Sequence, residues 1–144
     1  MPDNQQAAYA ADNIFAKILR GEIPSHKIYE DDDVYAFMDV MPQGTGHSLV
    51  IPKQGSRNLL DADSAVLAKL IAATQKIAVA VKKAFNADGV TIMQFNDPAA
   101  GQTVFHLHFH VIPRFEGVAL TGHTGKMEDP AVLADNCQKI IASL

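Results

Sequence analysis

A single cysteine, Cys137, in a chain of 144 residues excludes an intramolecular disulfide and any metal site built on several thiolates. Cationic charge is also scarce: 12 Lys and Arg stand against 16 Asp and Glu, for a formal net charge of -4. Such a surface offers no electrostatic footprint to nucleic acid or to an anionic membrane, so an anionic ligand has to be small and held by local donors. The stretch from Met1 to Asn13 has no basic residue and no apolar run, which argues against a signal peptide. No segment approaches the ~20 consecutive apolar residues expected of a membrane span. Repeats, low-complexity tracts and interdomain linkers are missing too. With 48% hydrophobic residues, the expectation is a single cytoplasmic domain with a substantial core.

What the chain does have is histidine in one place. Half of its six histidines lie within five residues, in Phe105-His106-Leu107-His108-Phe109-His110-Val111. Strict alternation with β-forming residues predicts a strand that shows His106, His108 and His110 on one face and Phe105, Leu107, Phe109 and Val111 on the other. Three imidazoles on one patch would be costly if protonated together, so the row reads as a site, either a metal cluster or a metal-free catalytic row. The cupin form of a His-x-His metal site wants a glutamate after three or four intervening residues. Arg114 and Phe115 occupy those places, and the cupin reading fails.

In chain order, residues 1–12 read as a flexible polar tail and 13–144 as one domain. Asp12 or Asn13 can cap a short helix, Ile14–Arg20, ended by Gly21. Lys27–Glu30 and Val34–Met38 are expected strands joined by a solvated hairpin at Asp31–Asp33, and His47–Ile51 is a third, stopped by Pro52. From Asp63 the apolar period becomes helical, through Val66, Leu67, Leu70, Ile71, Ile77, Ala78, Val81 and Phe85, with Gly89 after the end. The polar residues of this helix fill only a narrow stripe, which suggests a sheet on one side and a second subunit on the other. Val90–Phe95 is a fourth strand, and Pro130 opens a last helix capped by Asp129. The sum is an α+β fold: a five-stranded antiparallel sheet, one long helix, and shorter N- and C-terminal helices.

A neutral imidazole is a competent nucleophile near neutral pH, and crowding keeps the rings neutral. His108, flanked on both sides, is the natural nucleophile; His106 and His110 can orient it or move protons. Thr103 and Gly101 stand just before the row, where a hydroxyl and a backbone N–H could hold an anion. Such an array suits attack on phosphorus.

The stretch Gln102-Thr103-Val104-Phe105-His106-Leu107-His108-Phe109-His110-Val111-Ile112 resembles the signature of the histidine triad (HIT) family. Ile14-Phe15-Ala16-Lys17-Ile18, Gly21-Glu22-Ile23-Pro24, Ala36-Phe37-Met38-Asp39 and Gly46-His47-Ser48-Leu49-Val50-Ile51-Pro52-Lys53 are similar, in the same order, to its Hint-like bacterial branch. The resemblance implies a HIT-like fold and a homodimer that binds a purine nucleotide or nucleoside phosphoramidate. It implies that His108 attacks the α-phosphorus of a nucleoside monophosphate conjugate to form a nucleotidyl-histidine, with His110, His106 and His47 assisting. By the same resemblance, Asn96, Gly101, Gln102 and Thr103 match phosphate-side positions and Asp39 the ribose carboxylate. Ile14, Phe15, Ile18, Phe37 and Val40 match the walls of the base pocket, although a pocket wall is equally a core residue.

One family feature is missing. Many bacterial relatives hold a structural zinc through a Cys-x-x-Cys near the first helix, a histidine after Pro-Lys and the first triad histidine. Here Asn13 and Ala16 occupy the cysteine positions and Gly55 the histidine position, leaving only His106, so no metal and no cofactor is expected. His110 stands where the uridylyltransferase branch has glutamine, which favours hydrolysis over transfer. Three readings stay open: a phosphoramidate-type hydrolase, a dinucleoside polyphosphate hydrolase, and a nucleotide-binding regulatory dimer with incidental catalysis.

Overall fold

The structure is a computed structural model that describes residues 6–122 and 126–144. Its elements run α1 (Ile14–Leu19), β1 (Lys27–Glu30), β2 (Val34–Met38), β3 (Ser48–Pro52), α2 (Ser64–Ala84), β4 (Gly89–Met93), β5 (Phe109–Arg114) and α3 (Pro130–Ile141). The five strands form one antiparallel sheet in the order β1-β2-β3-β5-β4. The expected α+β architecture, with one long and two shorter helices, is the one observed.

Local chemistry accounts for most boundaries. Asn13 caps α1 by accepting from the Ala16 N–H, Asp63 caps α2 through the Ala65 N–H, and Asp129 caps α3 through the Ala131 N–H. The acidic hairpin is an Asx turn: Oδ1 of Asp31 accepts from the backbone of both Asp33 and Val34. α2 does not run on toward Gly89, which instead opens β4. It ends at Ala84, and Asn86, whose φ of 48° supplies the left-handed residue, follows, with the Ala87 N–H closing back on the Lys82 carbonyl.

Both faces of the sheet are covered. On one, α2 and α3 enclose the main core, which includes Ala36, Met38, Val50, Leu70, Ile77, Leu107, Val111, Leu133 and Ile140. On the other, Phe37, Leu49 and Ile51 pack with Phe15 of α1. Alternation along β2, β3 and β5 sorts residues between the two. Cross-strand pairing then draws a row over the α1 face: Phe37 opposite Leu49, Leu49 opposite His110, His110 opposite Met93. That row brings a histidine of the signature beside the apolar residues of α1.

α2 is the one described helix long and apolar enough to cross a membrane, with a hydropathy of 1.5 over an 18-residue window. That differs from the expectation that no segment approaches a span. The physical reason is that Leu70, Ala73, Ile77, Ala80 and Val81 are buried in the core, where helix and sheet cover each other.

Candidate active site

The histidine segment departs from a simple strand. Only Phe109–Arg114 pairs in the sheet; His106 and His108 lie on the irregular chain that leads into it. The reason is where the backbone bonds: the Leu107 N–H donates to the Ser56 carbonyl (2.9 Å), so this stretch is pinned to the loop after β3 rather than to a neighbouring strand. The side-chain sorting holds from His106 onward, but Phe105, expected on the core face with Leu107, instead lies with Ile14 of α1 beneath the Arg57 guanidinium. Leu107 is in the main core, and the three imidazoles are together on the α1 side, buried with Phe15.

Hydrogen-bond partners assign the tautomers, because a neutral imidazole has one donor and one acceptor. His108 directs Nδ1 at the His106 carbonyl at 2.6 Å, so that nitrogen carries the hydrogen and Nε2 keeps its lone pair. In His47, Nδ1 accepts from the Gln43 N–H (3.0 Å), so Nε2 carries the hydrogen and donates to Nδ1 of His110 (2.9 Å). Nε2 of His110 is therefore the protonated nitrogen. The His108 and His110 rings are 5.0 Å apart, which places a lone pair and an N–H within the span of one phosphate. Asp39 is buried beside the same chain, with Oδ2 3.4 Å from Nε2 of His47 and Oδ1 accepting from the Met41 N–H.

Burial depresses the His108 pKa to about 4, against the opposing effect of the bond to the His106 carbonyl, and burial likewise lowers that of His106. The His108 ring is thus neutral through the physiological range. A stability consequence follows with a definite sign. Between about pH 6.5 and 4 the unfolded chain binds a proton at residue 108 that the folded chain refuses, so stability falls as pH falls through that window. The expected loss is roughly 3 kcal/mol, read as a lower urea midpoint at pH 4.5 than at pH 7. A His106 contribution adds in the same direction.

The phosphate-side residues divide. Thr103 is exposed, and its hydroxyl makes no described hydrogen bond. Gly101 has a φ of 103°, the conformation glycine adopts freely, but its N–H donates to the Pro98 carbonyl and does not point at an anion. Gln102 is a correction to the expected phosphate set. Its Oε1 accepts from Asn58 and from the Asp97 N–H, its Nε2 donates to the Arg57 and Val104 carbonyls, and its own N–H donates to the Asp97 carbonyl. Every donor is committed to the loop, so Gln102 shapes the turn that presents Thr103. Asn96 accepts from the Leu59 N–H and exchanges amide bonds with Gln94, which leaves it one further amide hydrogen.

Of the expected base-pocket residues, Phe15 and Phe37 meet edge to face at 5.4 Å, Ile18 packs on their cluster, and Ile14 is exposed on α1. Val40 packs against the main core instead, because the chain turns after Asp39 toward α3. A cavity of about 300 Å³ is lined by Ile14, Thr103, Val104, Phe105, Asn13 and Arg57, with the Arg57 guanidinium 4.1 Å above the Phe105 ring. Arg57 was not visible as a site residue in the sequence.

The residues at the zinc positions do not fit that metal. Asn13 is occupied as a helix cap, Ala16 and Gly55 offer no donor, and both nitrogens of His106 are engaged, Nε2 with the Pro52 carbonyl and Nδ1 with the Tyr9 hydroxyl, each at 2.8 Å. Tyr9 was missed in the sequence, where it fell within the expected flexible tail. Its being the sole aromatic among the first thirteen residues was the available signal. In the structure, contact with the domain begins before residue 13: Gln6 reaches Asn58 and Tyr9 reaches His106, while residues 1–5 of the expected tail lie outside the described residues.

The fold and site define a protein with two buried imidazoles, His108 and His110, held side by side on an antiparallel sheet. The HIT domain profile matches residues 20–117, and the chain belongs to that family. A crystal structure of a HIT-like protein involved in cell-cycle regulation from Bartonella henselae, with an unknown ligand, superposes with a TM-score of 0.90 at 60% identity, covering 95% of this chain and 100% of that one. A zinc-bound histidine triad protein from Mycobacterium smegmatis superposes with a TM-score of 0.81 at 34% identity, covering 92% of each. The adenylylsulfatase HINT3 of Arabidopsis thaliana is 36% identical over 132 residues, 88% of this chain and 67% of that protein.

Proposed function

We propose that this protein binds a purine nucleotide and hydrolyses nucleoside 5′-monophosphate conjugates, phosphoramidates and other AMP-X compounds, through a nucleotidyl-His108 intermediate. The carrying observation is the fixed tautomer of His108, whose Nδ1–H is held by the His106 carbonyl so that Nε2 is a neutral nucleophile. Nε2 forms a bond to the α-phosphorus as the bond to the leaving group breaks. With one proton taken from solvent and shared by His110 and His47 across the 2.9 Å contact, Nε2 of His110 passes its hydrogen to the departing atom and the pair returns to its neutral form. Water then attacks the phosphorus, returns a proton to the relay, and releases the nucleoside monophosphate and His108. Thr103 and Asn96 would hold the phosphate oxygens, Asp39 the ribose, and Phe15, Phe37, Ile14 and Ile18 the base. HINT3 supports the adenylyl chemistry, since its name describes cleavage of an adenylyl conjugate.

No step of this scheme calls for a cofactor, and the net charge of -4 supports a small-molecule rather than a nucleic-acid or membrane partner. A cytoplasmic setting suits a chain with one buried thiol. The test is turnover by chelator-treated protein of an alkyl-adenosine phosphoramidate against diadenosine polyphosphate. AMP from the former without added metal supports the reading. Preference for the latter transfers the site to dinucleoside polyphosphates, and AMP binding with no turnover of either makes it a binding module.

The working unit in this reading is a homodimer. α2 leaves Ile71 and Val79 exposed, β4 is an edge strand with Ile92 exposed, and Ile71, Ala78 and Ile92 line one apolar cleft of about 480 Å³. An apolar helix face beside an open sheet edge is the kind of surface that a second copy covers. Ile92→Asp is expected to convert a dimer into a species of one 15.5 kDa chain by light scattering; an unchanged mass places the interface elsewhere.

A further inference from the structure

Tyr9 belongs to no expected group, yet it touches the catalytic row. Nε2 of His106 donates its hydrogen to the Pro52 carbonyl, so Nδ1 requires a donor, and the Tyr9 hydroxyl stands 2.8 Å away. Asn13 decides which way that hydroxyl points. Its Nδ2 donates to the Tyr9 oxygen (3.2 Å) and to the Ala10 carbonyl (2.8 Å), while Oδ1 caps α1. With its oxygen accepting from Asn13, the tyrosine turns its hydrogen toward His106. The ring fits because residue 55 is glycine: a Cβ there would come within 2.3 Å of it. Asn13 and Gly55, at positions where the resemblance implies zinc ligands, are thus the residues that orient and admit Tyr9.

The consequence reaches the nucleophile. A His106 ring gripped at both nitrogens holds its own backbone, and the His106 carbonyl is the acceptor that fixes Nδ1 of His108 at 2.6 Å. The Leu107 N–H, in the same peptide unit, is fixed by Ser56. We propose that Tyr9 is a positioning residue: through its hydroxyl bond to His106 it holds the carbonyl that sets the tautomer of His108, taking the structural place of the zinc. The inference rests on the reading of His108 as nucleophile.

Two variants separate the hydroxyl from the packing. Tyr9→Phe keeps the ring over Gly55 and removes the donor. Asn13→Asp keeps the helix cap and offers a carboxylate that draws the hydroxyl hydrogen away from His106. Both are expected to slow formation of nucleotidyl-His108 in single turnover roughly tenfold, the scale of one lost hydrogen bond, with AMP affinity changed less than about twofold. Histidine ¹⁵N spectra of the free protein supply a readout independent of turnover. In the wild type they should show His106 protonated at Nε2 and His108 at Nδ1, and in Tyr9→Phe the His106 Nδ1 signal should move to its unbonded position. Unchanged nucleotidylation with unmoved signals in Tyr9→Phe overturns the proposal, as does a wild-type His106 protonated at Nδ1. So does Zn²⁺ that shifts the His106 signals and raises the melting temperature of metal-stripped protein. Absence of turnover in the wild type would sink the hydrolase reading alone, because the spectra still report whether Tyr9 holds His106.

Discussion

His108→Ala is expected to lower AMP release from an adenosine phosphoramidate by on the order of 10⁴-fold while leaving AMP binding nearly intact. The size follows from the role: without the nucleophile, water must attack phosphorus unaided except by the phosphate contacts and His110. The ring is buried between Phe15 at 4.9 Å and His110 at 5.0 Å, so alanine leaves a cavity rather than a rearranged surface. The same variant checks the acid linkage. Because the His108 pKa is depressed to about 4, removing the imidazole removes the proton that the folded state refuses. The variant should therefore lose less stability between pH 6.5 and 4 than the wild type. Rapid quench should find labelled protein in the wild type and none in the variant. A covalent adduct persisting on His108→Ala would move the nucleophile to another residue, and a parallel acid slope in both proteins would remove His108 as its source.

The sequence was informative where a residue's chemistry is local. The cap of α3 at Asp129, the hairpin at Asp31–Asp33 and the alternation along β2 and β3 each depend on neighbours within a few positions and appear as expected, and of Asp12 and Asn13 it is Asn13 that caps α1. Gly89 lies after the end of α2 as expected, but the left-handed residue that follows the helix is Asn86, which the sequence did not single out. The histidine row was read as one strand because alternation reports which side a residue faces, not whether its backbone finds a strand. The partner of Leu107 is Ser56, fifty-one positions away, and no periodicity encodes that bond.

The site shows the same division. The triad, His47 and Asp39 come together from three strand ends, and family resemblance had named them all. Their tautomers could not be read, since they depend on the Gln43 backbone and the His106 carbonyl. Gln102 looked like a phosphate ligand by its place in the motif, yet its amide holds the loop together. Tyr9 was hidden for the opposite reason: a polar, alanine-rich segment predicts little order, and the buried nitrogen that recruits it is 97 residues on.

His110→Ala carries the second large effect, and its size should depend on the substrate. The relay from the Gln43 N–H through His47 leaves the Nε2 hydrogen of His110 facing the site, which is the position of a general acid. An amine leaving from a phosphoramidate cannot depart as an anion, so losing that proton should cost roughly 10²–10³-fold. A 4-nitrophenyl ester of AMP releases a stable phenolate and needs little help; there the loss should stay within about tenfold. His47→Ala, acting on proton transfer through its bond to His110, should show the same ordering with smaller losses. Equal losses on both substrates would mean that His110 binds the phosphate without moving a proton, and the acid would have to be sought elsewhere. The distinction matters because burial has already made His108 a weak base. As the proposed nucleophile, an imidazole of pKa about 4 would leave phosphorus easily in the second step but have little push in the first. In the proposed mechanism, protonation of the leaving group by His110 is the complement that would let one pair of imidazoles, 5.0 Å apart, serve both halves of the reaction.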